Sequence, residues 1–159
     1  MLGLLPLAAS HIIPALTLFV VSAGLLVLGA ADIWREEVED YATVALLLIT
    51  VAALVHEGIS PQQWLAGALS AAVVFLFYLS LGVHGLMGGG DVKLSVVPAL
   101  VLGASMPLLG LWWAAASVVI QYGFFAVAGR LAPGSTTLGL PHVPAMAVAF
   151  VLAWVIFVP

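Results

Sequence analysis

The chain contains no cysteine. Disulfides, a thiolate nucleophile and Cys-ligated zinc are thereby excluded. Charge is nearly as scarce: of 159 residues 6% are charged, with three Lys and Arg against seven Asp and Glu. A soluble domain devotes about a quarter of its residues to Asp, Glu, Lys and Arg, so an ordinary soluble protein is excluded. So few cations also exclude a nucleic-acid-binding surface. No HExxH metal motif occurs, and no serine stands with a histidine on a recognisable nucleophile elbow. Neither a metal nor a cofactor is expected. Met1 to Ser10 lacks the basic residue that opens a secretory signal peptide, and it reads as part of the mature chain.

What is present is hydrophobic sequence, 65% apolar with mean hydropathy +1.31. At ~20 residues per bilayer-crossing helix, about six spans fit and no room remains for a soluble domain. The expected architecture is all-α: one integral membrane domain over residues 1–159, polytopic, with six transmembrane helices. The spans are expected at His11 to Ala31, Tyr41 to His56, Trp64 to Leu81, Asp91 or Val92 to near Pro107, Leu111 to Gly129, and Val143 to Val158. Pro61 is placed to open the third, and Pro98 and Pro144 to kink the fourth and sixth. Trp112 and Trp113 are expected at interface depth, and Gln121 as interhelical glue.

Orientation rests on Arg35, Lys93 and Arg130, the only Lys and Arg in the chain. In a six-helix layout they follow helices one, three and five and share one face. The positive-inside bias makes that face cytosolic and puts both termini on the non-cytosolic side. Asp32 and Asp91 then lie together at cytosolic helix ends.

Asp91 closes the run Gly88-Gly89-Gly90-Asp91-Val92-Lys93. Three glycines are expected to interrupt the helix, to take positive φ, and to let an extended peptide approach the backbone. By itself Asp91 reads as the N-cap of the next helix. Paired with Asp32 it reads as half of a catalytic site. Two neighbouring carboxylates cannot both ionise cheaply, so one holds a proton while the other activates water. Such chemistry needs neither metal nor thiol.

These residues carry a resemblance. Asp32-Ile33, with Val38 and Asp40 beyond, followed later by Gly-Gly-Gly-Asp91-Val92-Lys93-Leu94, resembles the prepilin and preflagellin peptidases, GxGD membrane aspartyl proteases, in their compact archaeal form. Pro98-Ala99-Leu100 and Leu140-Pro141-His142-Val143-Pro144 are similar to family segments at those places. One departure is visible: Glu39 stands where the family commonly has Pro. The resemblance implies an aspartic-type endopeptidase in the cytoplasmic membrane, its active site facing the cytosol. It implies cleavage of a short basic leader from prepilin- or preflagellin-like precursors, with Asp32 and Asp91 catalytic. Methyl transfer, known in bacterial relatives with a Cys-rich insert, is not expected.

Around the pair, Gly88, Gly89, Gly90, Glu36, Glu37, Glu39 and Asp40 are candidate substrate-binding residues, the acidic ones for a basic leader. Arg35 and Lys93 are candidate supporting residues, with snorkelling to lipid phosphate the favoured reading of Lys93. His84 and His142 read as incidental loop histidines, with His11 and His56 on the far side. The alternatives are a small transporter or proton-relay subunit using the same carboxylates, or a non-catalytic membrane assembly subunit. A transporter would place titratable groups near the bilayer midplane, where the expected spans are nearly free of them.

Overall fold

A computed structural model describes residues 15–35, 39–131 and 141–157. Within them the chain is all helical, in seven segments: α1 Ala15–Arg35, α2 Asp40–His56, α3 Pro61–Val83, α4 Gly89–Leu94, α5 Val96–Ser105, α6 Pro107–Leu131 and α7 Val143–Phe157. Ser95 joins α4 to α5 with near-helical angles, φ −57° and ψ −25°, so the pair forms one bent helix. The bend has a local cause. Pro98 has no N–H and crowds the carbonyl four residues back, at Leu94. Ser95 Oγ meanwhile donates to the Val92 carbonyl at 2.8 Å. A kink near Pro98 was expected, but Pro144 falls in the first turn of α7, where a proline costs no intrahelical bond.

Several boundaries differ from the sequence reading. With no Gly or Pro between Ala31 and Arg35, α1 continues through Asp32. Pro61 opens α3 as expected, behind an N-cap Ser60 whose side chain accepts from the Gln63 N–H at 3.3 Å while Gln63 accepts from the Ser60 N–H at 2.9 Å. Extended Met106, φ −151° and ψ 117°, is the whole link to α6, which begins at Pro107 instead of Leu111.

The three glycines depart furthest. Gly88 is the extended N-cap, φ −73° and ψ 152°, and Gly89 and Gly90 form the first turn of α4. Positive φ occurs instead at Gly58 and Gly85 among the described residues. A helix survives there because the Asp91 carboxylate turns back to accept from the Gly88 N–H at 3.3 Å, and because α5 extends the rod. Asp91 is thus the third helical residue, not the N-cap.

The α5 helix sits centrally, packed on α3 and α6 and touching α1 and α2, while α7 lies against α1 and α6. Glycine makes the α3–α5 approach possible: a Cβ on Gly67 would lie 2.6 Å from the Leu100 carbonyl oxygen. Close backbone approach through small residues is how apolar helices gain contact in a membrane. At one end of the bundle Glu57 ties the start of α1, accepting from the Thr17 N–H at 3.0 Å and from its hydroxyl. Outward faces are apolar, with Phe19, Leu48, Leu65 and Val119 exposed. Three stretches are long and apolar enough to cross a membrane, Ala15–Trp34, Pro61–Val83 and Pro107–Val127; α2 and α7 are apolar but shorter. Trp113 does not lie at an interface. It is fully buried and donates from Nε1 to the Met146 carbonyl at 3.0 Å, whereas the half-exposed Trp112 meets Phe157 edge-on.

Candidate active site

The end of α1, the start of α2, the short α4 and the start of α7 gather at the other end of the bundle. Asp32, in the last turn of α1, is buried at 6% exposure. Its Oδ2 accepts from the Val143 N–H at 3.2 Å. That donor is one of the first-turn N–H groups a helix leaves without an internal partner, so the start of α7 suits a carboxylate.

Asp91 is half-buried in α4, outside the three candidate spans. Val92 and Leu94 bury the inner face of α4, and a Cβ on Gly82 would lie 3.1 Å from Val92 Cγ2, so the end of α3 fits closely beside it. Burial, and then the neighbouring Asp32 carboxylate, push Asp91 up to about 7, against the Gly88 hydrogen bond that favours its charged form. Asp32 thus contributes, after burial, to the raised value of Asp91. A carboxyl raised in this way can hold its proton near neutral pH.

The remaining candidates fall as follows. Lys93 binds both carboxylate oxygens of Asp40, at 2.6 and 2.7 Å, in a solvent-exposed pair linking α4 to the start of α2. The structure thus gives Lys93 a protein partner in place of the lipid phosphate expected for it, and Asp40 a cation from its own chain. Glu39 is the extended N-cap of α2, and its carbonyl accepts from Ala42 and Thr43. Arg35 ends α1, and Glu36 and Glu37 lie outside the described residues. Gly88 alone of the three glycines presents extended backbone. His84 follows α3 and folds back on the Ser80 carbonyl through Nδ1 at 2.6 Å. His56 ends α2, exposed, and His11 lies outside the described residues. No group of three or more His, Asp or Glu able to hold a metal occurs among the described residues.

His142 is not incidental. It is 4% exposed and directly precedes the residue that holds Asp32. Its Nε2 meets Tyr78 Oη at 3.2 Å, and Tyr78 Oη also meets Ser117 Oγ. Sequence reading passed over Tyr78 and Ser117. The available signal was a hydroxyl inside an apolar span, where a polar group needs a partner.

Comparison with known proteins bears on the family of the chain. The family described as "Type IV leader peptidase family" matches residues 19–158. The prepilin leader peptidase/N-methyltransferase of Bacillus subtilis (strain 168) is 41% identical over 100 residues, which cover 60% of this chain. The chain matches only 39% of that relative's length. No solved structure matches the chain. A profile that runs from the first turns of α1 to the end of α7, and so includes both aspartates, settles the kinship: the chain belongs to the type IV leader peptidase family.

Proposed function

We propose that this protein is a membrane-embedded aspartic endopeptidase that removes the short basic leader of a prepilin- or preflagellin-like precursor at the cytosolic face. The observation that carries the reading is that α1 and α4, far apart in sequence, bring a buried Asp32 and a half-buried Asp91 to one end of the bundle, where burial and the Asp32 charge both raise Asp91. Family membership supplies the peptidase activity and the prepilin-type substrate class. The electrostatics favour two carboxylates as the machinery.

Asp91, pushed up to about 7, holds the proton and polarises the scissile carbonyl. Asp32 is the base. It takes a proton from water as the water oxygen adds to the carbonyl carbon, and the tetrahedral intermediate collapses with cleavage of the C–N bond as Asp32 passes that proton to the leaving nitrogen. The reaction is hydrolysis alone. Water is available at a helix end and scarce at the centre of a bilayer, which suits a site in the last turn of α1 and the first turn of α4. The six-span layout, with Arg35, Lys93 and Arg130 at the cytosolic face and both termini opposite, follows the positive-inside bias. The whole chain, 1–159, serves as one peptidase unit. In the same proposal Glu36, Glu37 and Glu39 draw in the basic leader electrostatically, while Asp40 is partly neutralised by Lys93.

The reading is tested by incubating the purified chain in liposomes with a precursor that joins a basic leader to an apolar segment, in ¹⁸O-labelled water. Mass spectrometry is expected to find one cut between leader and apolar segment, with label in the new leader carboxylate. An intact precursor, or a cut within the apolar segment, contradicts it.

A further inference from the structure

Asp32 is held from the start of α7, and the start of α7 is itself held from the bundle interior. The Val143 N–H reaches Asp32 Oδ2 at 3.2 Å, and one residue earlier the His142 ring reaches Tyr78 Oη at 3.2 Å. Counting protons gives this chain of contacts a direction. Ser117 Oγ donates to the Ala114 carbonyl at 2.8 Å, which uses its single proton. Tyr78 therefore donates to Ser117, and its oxygen is left to accept from His142 Nε2–H. The histidine is thus the Nε2–H tautomer. Its Nδ1 is a buried acceptor with no hydrogen-bond partner among the described residues.

The anchor for this ring is rigid. Tyr78 is fully buried and stacks on Trp113 with centroids 6.2 Å apart and planes 2° from parallel. Trp113 in turn donates to the Met146 carbonyl, one turn into α7. Hence α7 is pinned twice from the α3 and α6 side, by His142 before its first turn and by Met146 within it. Burial pushes the His142 imidazole down to about 4, so the ring is neutral near pH 7 and acts by its hydrogen bond. A phenylalanine would fill an apolar niche without the desolvation cost that a buried imidazole carries. The retained polarity has a specific use here.

We propose that His142 is a positioning residue, whose Nε2–H bond to Tyr78, backed by Ser117, fixes the first turn of α7 so that the Val143 N–H stays on Asp32 Oδ2. The proposal rests on Asp32 being one of the catalytic carboxylates. Beside the Val143 N–H, the main chain of His142 also hydrogen-bonds Asp32, so the start of α7 is the donor for this carboxylate. His142 and Tyr78 act through that main-chain donor and touch no substrate. Loss of their bond changes the rate of the chemical step more than the binding of the precursor.

The test measures kcat and KM for precursor cleavage by the full chain in liposomes. The variants are Tyr78→Phe, His142→Phe, the double variant, His142→Gln and Asp32→Asn. Tyr78→Phe and His142→Phe are expected to lose roughly tenfold to hundredfold in kcat, the scale of a small misplacement of a catalytic group. KM is expected to stay within about twofold. Because both substitutions break one bond, the double variant loses no more than the worse single one. His142→Gln, whose amide N–H can replace Nε2–H, recovers most of the rate. Tyr78→Phe retains the ring stacked on Trp113, so it decides the matter should His142→Phe fail to fold. Wild-type kcat in folded Tyr78→Phe, additive losses in the double variant, or a change confined to KM overturns the proposal. Full activity in Asp32→Asn overturns the paired-carboxylate reading and this proposal with it. An inactive Asp32→Asn beside fully active Tyr78→Phe removes the positioning role alone.

Discussion

The Val143 N–H donates to Asp32 Oδ2 at 3.2 Å across 111 positions of sequence. That bond distinguishes two aspartates that look equivalent on paper. Asp32 is bonded from a different helix packed against its own, whereas Asp91 is bonded at 3.3 Å by Gly88, three residues earlier in its own segment. One carboxylate is fixed by the tertiary structure. The other belongs to a six-residue helix that opens with two glycines. The proposed mechanism accordingly gives them different roles, Asp32 as base and Asp91 as the carboxyl that keeps its proton.

A pH dependence follows. Below about 7 Asp91 is protonated, and above it the carboxyl ionises beside Asp32. The acid half of the pair disappears as pH rises. Cleavage rate, followed as kcat/KM against pH, is expected to fall with a basic limb centred near 7. A rate that stays flat to pH 9 places the proton elsewhere.

The same carboxyl acts on stability with a definite sign. Its folded value, about 7, lies above the ordinary 3.8, so the folded state holds the proton more tightly than the unfolded chain. Stability therefore falls as pH rises from near 4 and levels off above about 7. Asp91→Asn removes this penalty. Thermal unfolding in detergent is expected to show the variant more stable than wild type at pH 8, with the two converging near pH 4. Equal midpoints at pH 8 contradict a strained carboxyl at this position.

Much of this was legible in the sequence, and the residues show where legibility stopped. The helical, apolar character, the kink ahead of Pro98 and the opening of α3 at Pro61 follow from local chemistry. The placement of Asp32 and Asp91 at helix ends followed from motif and topology together. The Asp40–Lys93 pair and the Tyr78–His142 bond join residues 53 and 64 positions apart, with no local pattern to announce them. Helices apolar all round also conceal which face packs inward. Trp113 accordingly read as an interface residue although it is core. Gly89 and Gly90 misled for a different reason: intrinsic helix propensity is a weak prior, and a carboxylate reaching back to Gly88 outweighs it over one turn.

Lys93 and Asp40 form a close but exposed pair, and exposed ion pairs contribute about 0–1 kcal/mol. Asp40→Asn is expected to shift the unfolding free energy by less than about 1 kcal/mol. The shift shrinks further in high salt, because exposed charges are screened. A larger loss in a chemical unfolding series would give the pair a structural weight that its exposure argues against.

Gly67 is a stricter position. A methyl there meets the Leu100 carbonyl oxygen at 2.6 Å and Ala104 Cβ at 3.2 Å, and main chain cannot yield as a side-chain tip can. Gly67→Ala is expected to destabilise by roughly 1–3 kcal/mol through overpacking of α3 on α5. Gly58→Ala controls for helix packing: a Cβ there meets nothing within 4 Å, and its cost comes from a φ of 67° alone. An unchanged unfolding midpoint in Gly67→Ala contradicts the close α3–α5 approach.

The central claim is that Asp32 and Asp91 act together as the peptidase machinery. The most direct measurement is single-turnover cleavage of a leader-bearing precursor by wild type, Asp32→Asn and Asp91→Asn, each confirmed folded by thermal unfolding. Catalytic residues that act as a unit are non-additive, so each single variant is expected to lose nearly all activity and the double variant no more than that. Processing at the wild-type rate by either folded single variant contradicts the claim.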